Sequence, residues 1–242
     1  MKTDIKGKKA IVTGGGSGYG KGIAAALAGA GAKVWITGRN AAKIEAAAQE
    51  IGARPFVADV SVPGDWDRLF AVVGEDLDIL VNNAGAGGPI RPVADQADAD
   101  IAATIATNLT GVIYGCSRAA RVMVARKSGA IVNVSSVCAL YAWPGWSVYT
   151  AAKAGLAKFS HGLYTELRPH GVRVTCLTPS WGRTDFNHAA GISGASEDPS
   201  LADKCTDPAD LGRIVLQILE TPDYLAVPDL TVQPMVQDIS PM

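Results

Sequence analysis

Short, near-continuously apolar runs alternate with longer amphipathic stretches along most of the chain. The apolar runs fall at residues 9–13, 33–37, 55–58, 79–81, 130–134 and 172–177. Between them, residues 18–30, 41–51, 65–73, 98–126 and 148–167 repeat apolar positions at helical spacing. Strands without a polar face, separated by helices long enough to cross over, predict a parallel sheet covered on both sides. Right-handed crossovers then give a doubly wound, Rossmann-type α/β fold. After Pro179 the rhythm changes. Residues 182–206 are rich in Gly, Ser, Ala, Asp and Pro and read as a loop with a short helix. Asp207 is placed to cap a helix over 208–220, with Pro208 in its first turn, and a last short strand is expected within 225–232. The loop leaves the carboxyl edge of the sheet, where open α/β sheets bind ligands, so it reads as a mobile substrate lid.

At 242 residues the chain suits one such domain, spanning 1–242, better than two. The formal net charge is −1 and like charges form no block, which argues against nucleic acid or a membrane surface as partner. No apolar run reaches the ~18 residues of a membrane span, and the first is broken at once by glycines. Cys116, Cys138, Cys176 and Cys205 lie far apart, three of them within apolar runs, and read as reduced structural thiols of a cytoplasmic protein. Neither these nor the three histidines show metal-ligand spacing, so no metal is expected.

Three motifs carry chemistry. Thr13-Gly14-Gly15-Gly16-Ser17-Gly18-Tyr19-Gly20 stands between the first strand and first helix. There a tight turn and a helix N-terminus with free N–H groups can receive a pyrophosphate, although a plain strand–helix connection would also use glycines. Asn82-Asn83-Ala84-Gly85 ends the fourth strand and is by itself a turn signal, or a ligand or backbone lock. Tyr149 and Lys153 are four apart at the start of a helix, hence on one face. An ammonium there is expected to draw the phenol's pKa down from about 10 toward a usable acid or base. Ser136 follows the fifth strand, where its hydroxyl can hold a substrate oxygen. Asn108 falls mid-helix, an unfavourable position for an amide unless it has a task.

Taken together, in this order and at these spacings, the motifs resemble the short-chain dehydrogenase/reductase family over about residues 8–184. The resemblance identifies Asn108, Ser136, Tyr149 and Lys153 with the family's catalytic tetrad. It identifies Gly14, Gly16, Ser17, Gly18, Tyr19 and Gly20 with its glycine loop, and Asp59 and Val60 with its adenine-contacting pair. Asn82, Ala84 and Gly85, then Pro179 and Thr184, match further cofactor-binding positions, with Tyr149 and Lys153 also facing the cofactor. The implied activity is nicotinamide-dependent oxidation and reduction of a small carbonyl/alcohol substrate. Tyr149 would give the carbonyl oxygen its proton, Ser136 orient that oxygen, Lys153 lower the tyrosine's pKa and bond the nicotinamide ribose, and Asn108 hold a water of the proton relay.

Where an NAD-preferring member should carry a carboxylate, this chain has Gly38, followed by Arg39, which can pair with a 2′-phosphate. NADP(H) is therefore expected, with NAD(H) the alternative because Ser17 stands where many NADP-dependent relatives have a basic residue. Ser180 and Trp181 replace the family's usual Pro-Gly continuation, and the end of the chain lacks its Asp-Gly-Gly. A homodimer is expected ahead of a homotetramer. Tyr141, Trp143, Trp146, Trp181 and Phe186 flank the expected site with Ser136 and point to an apolar or aromatic carbonyl, packing being their competing use. Rival readings are a β-ketoacyl-thioester reductase, for which Arg91 and Arg183 are the basic candidates, an NAD-dependent sugar, polyol or hydroxy-acid dehydrogenase, and a non-catalytic nucleotide sensor.

Overall fold

The computed structural model describes residues 2–237. Seven strands form one parallel sheet, β1 (Lys9–Thr13), β2 (Lys33–Gly38), β3 (Arg54–Val57), β4 (Ile79–Asn82), β5 (Gly129–Val134), β6 (Val172–Pro179) and β7 (Asp229–Val232). Their order is β3-β2-β1-β4-β5-β6-β7, so the direction of winding reverses between β1 and β4. Helices α1 (Gly18–Gly29), α2 (Ala41–Ile51), α3 (Pro63–Val73), α4 (Asp98–Ile105), α5 (Gly111–Arg126), α6 (Ser147–Leu167), α7 (Phe186–Ala189) and α8 (Pro208–Leu219) make the crossovers and the lid. The doubly wound α/β fold expected from the apolar runs is the fold observed.

Alternation along each strand explains the two cores. Val12, Ile36, Val81, Val132 and Leu177 face α1, α2 and α8, where Ile23, Leu27, Ile44, Leu211 and Val215 meet them. Ile11, Trp35, Leu80, Ile131 and Val174 face the opposite layer, packed by Trp66, Leu69, Met123, Leu156 and Leu163. A helical layer on each side leaves these strands no polar face, which is why their sequences read as unbroken apolar runs.

One boundary departs from expectation for a physical reason. The single long helix expected over 98–126 is divided by a π-helical turn at Ala106–Thr110, and Asn108 sits inside it fully buried. One extra residue in the turn re-aims the amide toward the interior, a distortion that marks functional sites more often than plain helices. The residue that looked out of place in a helix is where the helix is not regular. The final strand is shorter than expected, beginning at Asp229.

A line of polar side chains crosses the apolar layer beside α6. Asn82 Nδ2 donates to Asn133 Oδ1 at 2.9 Å, Asn133 Nδ2 donates to Ser160 Oγ at 2.9 Å, and Ser160 Oγ donates to Leu156 O at 2.8 Å. These bonds tie β4, β5 and α6 in one register. In the layer behind, Trp66 is 2 % exposed and donates its indole N–H to Val60 O at 2.9 Å. Trp66→Ala removes both packing and this bond, and is expected to cost about 3–5 kcal/mol in urea unfolding; a loss under about 1 kcal/mol would show that this layer does not hold the fold.

Candidate active site

The carboxyl ends of β1 and β4 meet at the point where the winding reverses, and the cleft opens there. Thr13 closes its base: its Oγ1 accepts from the N–H groups of Asn83 and Ala84, both at 3.0 Å. Asn83 Nδ2 returns a bond to Thr13 O at 3.0 Å. The glycine loop therefore lies directly against the loop after β4. Gly14 has φ +66°, and a Cβ there would lie 2.9 Å from Ala84 Cα, so glycine is required by both turn and contact. Ser17 precedes α1 without making a side-chain cap bond, so its hydroxyl and the first N–H groups of the helix are free for an anion. Here the residues fit a dinucleotide's pyrophosphate.

At the other end, α6 carries Tyr149 and Lys153, buried to 6 % and 3 % exposure. Lys153 Nζ donates to Val134 O at 2.9 Å and lies 5.7 Å from the centre of the Tyr149 ring. Ser135 Oγ donates to Lys153 O at 3.2 Å, fixing the same turn of α6 to the end of β5. Burial pushes the Tyr149 phenol well above its usual value, with the Cys138 thiol adding to the rise and the facing Ser136 hydroxyl working against it. Burial also draws the Lys153 ammonium down to about 8. This corrects the expectation that the ammonium draws the phenol down: burial is the larger effect here and raises it.

Asn108 meets this pair from below. Its Nδ2 donates to Ala86 O at 2.7 Å and Thr104 O at 2.9 Å, while its Oδ1 accepts from Ala86 N at 3.3 Å. A Cβ at Gly85 would lie 2.8 Å from Asn108 Oδ1 and 3.5 Å from Lys153 Nζ, so the glycine keeps the space between them open.

The cleft has a volume of about 1110 Å³. Gly14, Ser17, Gly18, Tyr19, Arg39, Ala84 and Gly85 line it together with Ser136, Tyr149, Lys153, Pro179 and Thr184, and Thr184 stands directly against Gly18. Trp143, Trp146, Trp181 and Phe186 form its aromatic wall. Trp146 and Phe186 stack at 6.5 Å with 17° between their planes, and Phe186 lies 5.5 Å from Tyr149. The lid is closed at its base by a bridge between Gly182 and Thr206, with Arg183 N donating to Thr206 O at 3.0 Å.

Other expected positions fall elsewhere. Asn82 is committed to Asn133 inside the sheet, and Asn83 does the work on the glycine loop. Gly16 and Gly20 shape the loop without forming the cleft wall, and a Cβ on Gly20 would lie 2.3 Å from Gly14 O. Asp59 accepts from Ser61 N at 2.9 Å in a local turn, and Val60 packs in the core behind it. Tyr141 is off the cleft wall, edge-on to Trp143 at 6.3 Å.

Three residues were not anticipated. Lys43, in the first turn of α2, joins Arg39 on the wall, and the chain offered a signal in the basic side chain four positions after Arg39. Cys138 lies on the floor beside Ser136, which accepts from Cys138 N at 3.2 Å. Gln237 reaches in from the far end of the chain, its Oε1 accepting from Ser180 Oγ and, at 3.4 Å, from Trp181 N. Its sequence neighbourhood carried no hint of this.

Residues 8–192 match the model of the short chain dehydrogenase family. An uncharacterized short-chain type dehydrogenase/reductase of Sinorhizobium fredii is 34% identical over 94% of this chain and 92% of its own length. A 3-oxoacyl-[acyl-carrier-protein] reductase of Chlamydia pneumoniae is 37% identical over 77% of this chain and 78% of its own. Among solved structures, the closed form of a serine dehydrogenase complexed with NADP+ superposes with TM-score 0.87 at 28% identity, covering 97% of this chain and 98% of that one. The chain belongs to the short-chain dehydrogenase family and is an oxidoreductase. Among the described residues, no helix is long and apolar enough to cross a membrane.

Thr13→Val keeps the shape of the side chain but leaves two backbone N–H groups without their acceptor. Each orphaned donor costs about 1–3 kcal/mol, so a lowered melting temperature together with weaker nicotinamide-nucleotide binding is expected in calorimetry. Unchanged values for both would show that Thr13 does not hold the two loops together.

Proposed function

We propose that the protein interconverts a ketone or aldehyde and its alcohol with NADP(H), using Tyr149 as acid and base. The observation that carries this reading is the buried placement of Tyr149 and Lys153 with Ser136 on the cleft floor, under an aromatic wall and opposite a phosphate-ready loop. Ser17, the α1 N-terminus, Thr184 and Lys153 would hold the cofactor, and the nicotinamide, when bound, supplies or takes up the hydride at the substrate carbon. Ser136 donates to the substrate oxygen and fixes its direction. Tyr149, whose burial disfavours the phenolate, gives that oxygen its proton in reduction and withdraws it in oxidation. Lys153 keeps positive charge beneath the phenol as the proton leaves. Asn108 holds the Ala86 backbone in place, and the lone pair of Oδ1 beside Gly85 offers a water a path to Lys153.

Preference for the 2′-phosphate rests on Arg39 and Lys43 together, with no carboxylate at Gly38 to oppose them. The substrate reading rests on charge as well as on aromatic surface. Glu197 and Asp198 line the lid side of the cleft. The two arginines that could receive a carrier-borne thioester are off the wall and paired, Arg183 with Asp207 and Asp203, Arg91 with Asp100 at 3.8 Å. An anionic substrate would meet carboxylates there, whereas a neutral aryl or apolar ketone fits the Trp146–Phe186 surface.

Turnover of aryl ketones with NADPH is expected in the wild type, and Tyr149→Phe is expected to lower kcat by about 10²–10⁴-fold with nucleotide binding retained; a fully active variant would end the tyrosine reading. Replacing Arg39 and Lys43 by Ala is expected to weaken NADPH by about 10–100-fold, as for lost charge-assisted bonds, and to leave NADH nearly unchanged. Equal losses for both nucleotides would show that the pair does not read the phosphate. With the sign set by burial, reductive kcat/KM is expected to hold through neutrality and to fall as pH passes about 8, where Lys153 loses its proton. A reductive profile that stays flat far above that pH would contradict the coupling.

A further inference from the structure

Outside the cleft, the fold gathers a second set of donor groups. His161 on α6, Cys176 in β6 and Asp229 in β7 each offer one ligand atom, and the three atoms lie within 4.8 Å of one another. The topology makes this meeting. Cys176 and Asp229 are register partners in the parallel β6–β7 pair, so their side chains leave the sheet on the same face. The helix α6 packs on that face of β6 and presents His161, the residue next to Ser160 of the Asn133–Ser160 bond. His161 Nε2 stands 2.7 Å from Asp229 Oδ1. Cys176 is buried at 1 % exposure, whereas the side chains of His161 and Asp229 are 43 % and 59 % exposed. The thiol is thus the floor of a small site whose rim is an imidazole and a carboxylate open to water. Spacing along the chain gives no sign of it, because each ligand comes from a different element.

We propose that His161, Cys176 and Asp229 form a binding site for a divalent transition-metal ion of the zinc type, separate from the cleft, which clamps α6 to the edge strands β6 and β7. The donor set decides the class of ion. Magnesium and calcium take oxygen ligands, so a thiol in the first position disfavours them. A sulfur, an imidazole nitrogen and a carboxylate oxygen suit zinc and cobalt, with water in the fourth position on the open side. With metal–ligand bonds of ~2.0–2.3 Å, tetrahedral ligand atoms stand roughly 3–3.7 Å apart. The imidazole and carboxylate therefore need to part by roughly half an ångström from their hydrogen bond, while the thiol sulfur closes in from within 4.8 Å. Binding releases the thiol proton to solvent and leaves Cys176 as thiolate. Without a metal, the same residues are a surface imidazole–carboxylate pair over a core cysteine.

The test uses the full chain after treatment with a chelator. Titration with Co²⁺ is expected to saturate at a single ion per chain, with visible bands of tetrahedral cobalt and a near-ultraviolet thiolate-to-cobalt charge-transfer band. Cys176→Ser should abolish the charge-transfer band. His161→Ala, at a half-exposed position, should keep the circular dichroism of the wild type and weaken Zn²⁺ in calorimetry by ~10-fold or more. Zn²⁺ should also raise the melting temperature of the wild type and not that of His161→Ala. Absence of a charge-transfer band in the wild type, or Zn²⁺ binding that is equal in the wild type and His161→Ala, would overturn the proposal and leave only the imidazole–carboxylate hydrogen bond.

Discussion

A buried ammonium is the constraint around which this molecule is organised. Lys153 has almost no contact with water, and a cation so placed must be held by hydrogen bonds or lose its charge. Val134 O, at the end of β5, accepts its bond, and Ser135 Oγ binds the carbonyl of the same residue from the other side. These two contacts set the height and rotation of α6 against the sheet, and the Asn133–Ser160 bond repeats the attachment two turns further along. Tyr149, one turn earlier on the same helix, is carried by that attachment, with its hydroxyl facing Ser136.

The second organising feature is the reversal of winding between β1 and β4. It brings two loops from distant parts of the chain side by side, and the exchange of bonds between Thr13 and Asn83 locks them. Because β5 and β6 continue the sheet in the same direction, Ser136 and the Pro179–Thr184 segment open onto the same cleft. The glycine loop and the Ser136, Tyr149 and Lys153 group are therefore parts of a single edge. The loop after β6 and the aromatic side chains beside it complete the cleft wall, with Gln237 bracing Ser180.

Much of this was legible in the sequence because it rests on short-range rules. Strands buried on both faces show as apolar runs, the glycine loop shows as glycines, and Tyr149 and Lys153 share a face by helical spacing. What the sequence hid depends on partners far away in the chain. Asn82 and Asn83 are adjacent and chemically identical, and only the pleat of β4 sends one into the core and the other onto the glycine loop. Asn108 looked like an amide lodged in a helix, and the π turn that gives it a purpose is visible only in the backbone. The direction of the Tyr149 shift was misjudged because counting a neighbouring charge leaves out burial, the larger effect here. Lys43 was within reach of inspection; Gln237 and the His161, Cys176 and Asp229 group were not, since nothing local links them.

The central claim, that Tyr149 and Ser136 jointly hold the reacting oxygen, is tested most directly by a crystal structure of the full chain with NADP+ and an unreactive aryl ketone analogue. The account predicts the carbonyl oxygen within hydrogen-bond reach, about 2.6–3.2 Å, of both the Tyr149 and Ser136 hydroxyls, with the aryl group against Trp146 and Phe186. A carbonyl oxygen bound away from Tyr149, with the analogue seated elsewhere in the cleft, would contradict it.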